Sequence, residues 1–281
     1  MILQNYKHPL LFYILSTIIP WFFWFGAAYV SHLGIDDGNK TTSILGFLGL
    51  LSPVFVAYWL ISKDPELKAD VRKRLFNLNS VKPIYLFLTA FLMLASILLA
   101  QAISLLFGYS PSQFEITGSY TFTSGIFPVL FLLIAAPIIE ELAWHSYGTD
   151  ALRQRFNLLK TSLIFGLFWG VWHIPLSFIN NYYQSNIVET GWIYGVNFLV
   201  SIFPFVIIMN WLYYKAGRNI IVPMVFHISA GYFNEIFATH PDSKLIQTFL
   251  LLVFAIWIVW NEKDLFFDKK YAEIEDSSQL Y

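Results

Sequence analysis

The chain has 281 residues, of which 57% are hydrophobic and only 12% are charged. Water-soluble domains carry about 25% charged residues, so this composition excludes a soluble globule and indicates a protein that lies in a membrane. The net charge of −1 argues against a nucleic-acid partner, and the absence of cysteine excludes disulfides, thiolate metal ligands and a cysteine nucleophile.

Long apolar runs divide the chain into about eight predicted transmembrane helices, because a helix needs about 20 apolar residues to cross the hydrocarbon core. In chain order, the predicted helices cover 9–32, 43–62, 83–108, 125–147, 159–180, 191–214, 219–237 and 244–261. We therefore expect an all-α polytopic membrane protein, built as a bundle of about eight helices in a single domain over 1–281. A polar C-terminal tail follows at 262–281.

The basic residues between the apolar runs predict the orientation. The segment 63–82 is the most basic, and the positive-inside rule places it in the cytoplasm. Alternation of the helices then puts 15 of the 17 Lys and Arg residues on the cytoplasmic side and leaves only Lys40 and Lys244 on the other side. We therefore predict an integral protein of the plasma membrane with both termini in the cytoplasm.

Polar side chains inside the predicted helices mark a candidate site, because ionisable groups within a bilayer are costly. The fourth helix holds Glu140 and Glu141 and ends near His145, the fifth holds His173, and the seventh holds His227. A rise of about 1.5 Å per residue puts Glu140 about 10 Å and His227 about 12 Å from the cytoplasmic ends of their helices. We therefore expect an intramembrane polar cavity that opens to the cytoplasmic side.

Neighbouring residues on a helix point about 100° apart, so Glu140 and Glu141 do not easily face one cavity together. Glu141 and His145 are spaced i, i+4, which predicts that they bond to each other near the end of the helix. Glu140 is then the carboxylate that faces the cavity.

Three short motifs on separate predicted helices carry a resemblance to a known family. They are Glu140-Glu141-x-x-x-His145, an aromatic residue four positions before His173, and His227 on a later helix. This pattern resembles the CPBP family of intramembrane proteases, which comprises the type II CAAX prenyl endopeptidases and the bacteriocin-processing Abi proteins. The resemblance implies an eight-helix bundle whose catalytic core covers about 125–237.

Three positions depart from the family pattern. His145 stands where the family usually has Arg, Trp169 stands where it has Phe, and Gly231 stands where it has Asn or Asp. Asn234 lies seven residues after His227, on nearly the same helix face, and is therefore the candidate for the missing amide.

The resemblance implies that the protein hydrolyses a peptide bond within the membrane. Glu140 acts as general base on a water molecule with help from His173, and His227 and Asn234 donate hydrogen bonds to the oxyanion. Glu141, His145 and Trp169 support this set. The implied substrate is a membrane-embedded or lipidated protein or peptide, and the family name suggests removal of a C-terminal tripeptide.

The cofactor and the function class both have alternatives at this point. A metalloprotease variant places zinc on Glu140, His173 and His227, a set of two imidazoles and one carboxylate that zinc accepts. The same buried residues also suit the proton relay of a proton-coupled transporter. An inactive membrane scaffold is the third alternative, motivated by His145 and Gly231.

Overall fold

The computed structural model describes residues 2–34, 38–76, 81–118, 120–123 and 125–268. Apart from one isolated β-bridge between Ile116 and Phe237, the regular secondary structure of these residues is helical. The α-helices are α1 (Pro9–Ser31), α2 (Gly38–Ser62), α3 (Pro65–Phe76), α4 (Pro83–Ser104), α5 (Val129–Ala143), α6 (Thr149–Arg153), α7 (Leu158–Trp172), α8 (Tyr183–Thr190), α9 (Trp192–Lys215), α10 (Ile221–Ile236), α11 (Pro241–Asn261) and α12 (Lys263–Phe267).

Seven helical segments of the described chain are long and apolar enough to cross a membrane, which confirms an all-α polytopic membrane protein. These segments are Pro9–Ser31, Lys40–Ser62, Pro83–Phe107, Val129–Arg153, Leu158–Phe178, Trp192–Lys215 and Pro241–Asn261.

The eighth predicted span, 219–237, corresponds to α10. This helix has 16 residues. At a rise of about 1.5 Å per residue it is about 24 Å long, short of the about 30 Å of hydrocarbon that a spanning helix must cross. It packs against α4, α5 and α9. The eighth spanning helix therefore stays a prediction.

The basic segment 63–82 contains α3, a helix that the sequence analysis did not predict. Asp64 caps its start, because one carboxylate oxygen accepts hydrogen bonds from the backbone N–H groups of Glu66 (2.9 Å) and Leu67 (3.3 Å). Lys73 and Arg74 lie in its last turn, where cations are favoured by the helix dipole. The Arg74 side chain nevertheless points into the protein and is buried.

A buried aromatic cluster joins α1, the end of α5 and α7. The Trp172 ring packs edge-on against Trp24, with centroids 4.4 Å apart, and against Trp144, with centroids 5.3 Å apart. Its Nε1 donates to the backbone oxygen of Ser16 at 2.9 Å. These contacts fix α7 against its neighbours directly before His173, one of the candidate site residues.

The predicted polar tail at 262–281 begins with the short helix α12. Its residues from 269 to 281 lie outside the described residues.

Candidate active site

The two adjacent glutamates lie in the last turn of α5, directly before a π-helical turn at Trp144–Gly148 that leads into α6. A π-turn changes the hydrogen-bond register, so some main-chain carbonyls need other donors. The Arg74 guanidinium supplies them, donating to the carbonyl oxygens of His145 (2.9 Å) and Ser146 (3.0 Å). Helix α3 therefore holds the chain immediately after the glutamates.

Glu140 lines the cavity of the bundle and is oriented by two indoles. Its Oε2 accepts hydrogen bonds from Nε1 of Trp169 at 3.0 Å and from Nε1 of Trp144 at 3.5 Å. The phenyl ring usual at position 169 in the resembling family has no such donor. Because both bonds go to one oxygen, they set the direction of the carboxylate.

Glu141 is fully buried and bridges two histidines. Its Oε2 lies 2.5 Å from Nδ1 of His145, and its Oε1 lies 2.9 Å from Nδ1 of His227. The predicted contact between Glu141 and His145 is therefore present. The link to His227 was not predicted, and it connects the end of α5 to α10.

His145 is fully buried, and both of its ring nitrogens face oxygen acceptors. Its Nε2 lies 3.0 Å from Oδ1 of Asn210. That amide is oriented by Ser162, whose hydroxyl donates to the Leu158 carbonyl oxygen and accepts from the Asn210 Nδ2 at 2.9 Å. Both ring nitrogens of His145 therefore have partners within the protein.

His173 and His227 both line the cavity, and both contact the Trp169 ring. Nδ1 of His173 lies 2.7 Å from the Trp169 carbonyl oxygen, an acceptor, so Nδ1 carries the proton. Nδ1 of His227 likewise donates to Glu141. In each ring, the Nε2 is the nitrogen left for chemistry.

The cavity has a volume of about 440 Å³, and the four predicted catalytic residues Glu140, His173, His227 and Asn234 all line it. Glu141 and His145 lie behind its wall. Lys244, which the charge pattern places on the non-cytoplasmic side, also lines this cavity. The direction in which the cavity opens therefore stays a prediction.

Asn234 lies away from the histidines, at another part of the cavity wall. Its Nδ2 donates to the Tyr183 hydroxyl at 2.8 Å and lies 3.5 Å from Oε1 of Glu235. The amide therefore already has a partner within the protein, and its role towards a substrate stays a prediction.

Tyr182, which is not among the predicted site residues, also lines the cavity. Burial raises the pKa of Tyr182 to about 12, and the nearby Glu140 carboxylate raises it as well. The phenol is therefore neutral at physiological pH and can donate a hydrogen bond. Tyr182 lies four residues after Phe178, between two spans. It has no charge and belongs to none of the spaced motifs, so no sequence pattern indicates that it is a site residue.

The predicted zinc set consists of Glu140, His173 and His227. No group of three His, Asp or Glu side chains in the described ranges is arranged to hold a metal ion. The Nδ1 atoms of His173 and His227 face the Trp169 carbonyl and Glu141, which leaves both Nε2 atoms free. Zinc on these side chains therefore stays a prediction.

This chain is similar in sequence to known proteins over most of its length. Residues 122–233 match the sequence model of a family described as "Type II CAAX prenyl endopeptidase Rce1-like". The chain is also 38% identical over 270 residues to "CAAX prenyl protease 2" of Methanococcus maripaludis, which covers 95% of this chain and 99% of that protein. The matched segment overlaps the predicted core at 125–237 and includes Glu140, His173 and His227.

Proposed function

Because the chain belongs to the type II CAAX prenyl endopeptidase family, and is therefore a membrane-bound protease, we propose that it cleaves lipidated proteins near their C-termini with a glutamate-activated water. The observation that carries this proposal is the convergence of Glu140, His173 and His227 on one cavity in the bundle. The comparisons do not support the alternatives of a bacteriocin-processing protein, a proton-coupled transporter or an inactive scaffold.

In the proposed reaction, Glu140 takes a proton from water while the water oxygen bonds to the carbonyl carbon of the substrate. The Nε2 of His173, left unprotonated by the bond from Nδ1 to the Trp169 carbonyl, accepts a hydrogen bond from the same water. Glu140 then delivers its proton to the leaving amine as the C–N bond breaks. The products are a new carboxylate and a free peptide amine.

His227 stabilises the negative charge that develops on the carbonyl oxygen. Since its Nδ1 already donates to Glu141, its Nε2 donates to the oxyanion when the ring carries both protons. The buried Glu141 carboxylate favours that protonated form and fixes the ring. In this proposal Glu141 and His145 act through His227, and do not touch the substrate.

Replacing His227 by Ala is expected to lower kcat by about 100- to 1,000-fold, as the loss of one oxyanion donor does in other hydrolases. We expect Asn234→Ala to lower kcat by less than about 10-fold, because its Nδ2 donates to Tyr183 and the amide is not needed as the first donor. Initial rates of the two variants, measured on one peptide in proteoliposomes, check both values. Equal losses of kcat in the two variants would indicate that Asn234 is a second oxyanion donor.

The lipid on the substrate is expected to raise kcat/KM. An isoprenoid chain partitions into the bilayer with about 0.8 kcal/mol per buried CH₂, so we expect a prenylated peptide to be cleaved at least about 10-fold faster than its S-methylated counterpart. Purified wild-type protein in liposomes, with the products identified by mass spectrometry, tests the proposed function. Equal rates on the two peptides would show that the protein does not recognise the prenyl group. Absence of cleavage of both peptides would contradict the proposed function.

We further propose that the protein resides in the plasma membrane with both termini in the cytoplasm. The distribution of Lys and Arg supports this orientation, because 15 of the 17 fall on one predicted side. A lipidated tail from a cytoplasmic protein then reaches the site from the nearer face.

A further inference from the structure

We propose that Lys244 binds the C-terminal carboxylate of the substrate, so that the cavity selects a free C-terminus three residues beyond the scissile bond. This inference rests on the proposed function and assigns a second binding site in the same cavity. The ligand at this site is a carboxylate group at the end of a short, extended peptide.

Lys244 supplies a positive charge to the cavity wall, and of the Lys and Arg side chains in the described ranges it is the one that lines the cavity. Its Nζ donates to the backbone oxygen of Asn234 at 3.3 Å. An ammonium group has three donors, so this bond leaves two for a ligand. A carboxylate brought into a cavity within the membrane requires such a partner, because an uncompensated charge there is costly.

Glu235 is the nearest acidic candidate for pairing with Lys244, but other groups bind its carboxylate. Its Oε2 accepts from the backbone N–H of Thr121 at 3.1 Å and from the Thr121 hydroxyl at 2.7 Å, and its Oε1 lies 3.5 Å from the Asn234 Nδ2. Among the described residues, Glu235 and Lys244 form no direct ion pair. The Lys244 ammonium therefore keeps two of its donors for a ligand in the cavity.

The spacing along α10 matches the length of a tripeptide. Asn234 lies seven residues after His227. The rise of about 1.5 Å per residue separates them by about 10 Å along the helix axis. Three residues of extended peptide also span about 10 Å. A substrate whose scissile carbonyl lies beside His227 can therefore place its terminal carboxylate beside Lys244.

An unpartnered acceptor in the wall of the same cavity supports a bound peptide. The Oε1 of Gln184 is buried and has no hydrogen-bond partner among the described residues, although Gln184 lines the cavity. Buried polar atoms in native proteins are nearly always hydrogen-bonded. The Gln184 oxygen is therefore available to accept a backbone N–H of a peptide in the cavity.

Two prenylated peptides of identical sequence, one ending in a free carboxylate and one in a carboxamide, test the inference. We expect wild-type protein to prefer the carboxylate by about 10- to 100-fold in kcat/KM, the range of a charge-assisted hydrogen bond. Lys244→Gln is expected to reduce this preference to less than about 3-fold, because an amide lacks the charge. Lys160→Gln, which alters an exposed lysine at the start of α7, is the matched control and is expected to keep the wild-type preference.

Two results would overturn the inference while leaving the proposed function intact: equal cleavage of both peptides by wild type, or an equal loss on both peptides in Lys244→Gln. An equal loss is the result expected if Lys244 only balances the charge of Glu235. If Lys244→Gln does not fold, Lys244→Met replaces it and is expected to reduce the preference to less than about 3-fold in the same way, because its side chain lacks the charge. Absence of cleavage of either peptide by wild type would overturn the proposed function together with this inference.

Discussion

Replacing Glu140 by Gln is expected to lower kcat for a prenylated peptide by about 100- to 10,000-fold, the contribution of a general base. The carboxamide has nearly the same shape and keeps an oxygen that can accept from the Trp169 and Trp144 indoles, so the cavity is preserved. It cannot take a proton from water. The loss is therefore expected in kcat, with KM changed by less than about 3-fold, because the interaction is made in the transition state.

The rates are measured in proteoliposomes with matched amounts of folded protein. Glu189→Gln is the control, because Glu189 is an exposed carboxylate on α8 and its replacement is expected to leave kcat at the wild-type value. A wild-type kcat in Glu140→Gln would show that another group activates the nucleophile.

Replacing Asp150 by Ala is expected to destabilise the protein by about 3–5 kcal/mol, the cost of breaking a buried ion pair by removing one partner. The Asp150 Oδ2 lies 2.6 Å from the Arg218 Nη2 and 3.1 Å from the Arg74 Nη1. The hydroxyls of Tyr213 and Tyr214 also donate to this carboxylate, at 3.0 and 2.8 Å. The truncation leaves two buried guanidinium groups without this partner.

Denaturant unfolding of the purified protein in detergent measures this effect. The control is Glu262→Ala, which removes the partner of Lys215 in a more exposed ion pair at 3.2 Å. Exposed pairs contribute about 0–1 kcal/mol, so only a small change is expected there. A similar, small loss in both variants would mean that the buried network does not stabilise the fold.

The same network reaches the active site. Arg74, which pairs with Asp150, also donates to the carbonyl oxygens of His145 and Ser146 in the π-turn after the glutamates. The part of the Asp150→Ala protein that stays folded is therefore expected to have a lowered kcat as well, because the turn that carries His145 loses its support.

The apolar runs and the motifs could be predicted from the sequence because each signal is local. A run of about 20 apolar residues has one stable arrangement in a bilayer, and the i, i+4 spacing of Glu141 and His145 places both on one helix face. The seven long helices and the Glu141–His145 contact follow from those two rules.

Contacts between distant segments could not be predicted in this way. The positive-inside rule treats Arg74 as one of several solvated cations, whereas its side chain turns inwards because Asp70, one turn earlier, and Asp150 neutralise it. Asn210 is a single amide within a long apolar run, and no spacing in the sequence connects it to His145, 65 residues away. The packing of α9 against α7 places Asn210 beside Ser162, and the π-turn places His145 beside the same amide.

The measurement that tests the central claim most directly is the mass of the products formed from a farnesylated CAAX peptide in oxygen-18 water. Reconstituted wild-type protein is predicted to release the C-terminal tripeptide and to leave a single oxygen-18 atom in the new carboxylate of the prenylated fragment. Glu140→Gln is predicted to release no tripeptide over the same time. Release by Glu140→Gln at the wild-type rate, or no release by wild type, would contradict hydrolysis by a water that Glu140 activates.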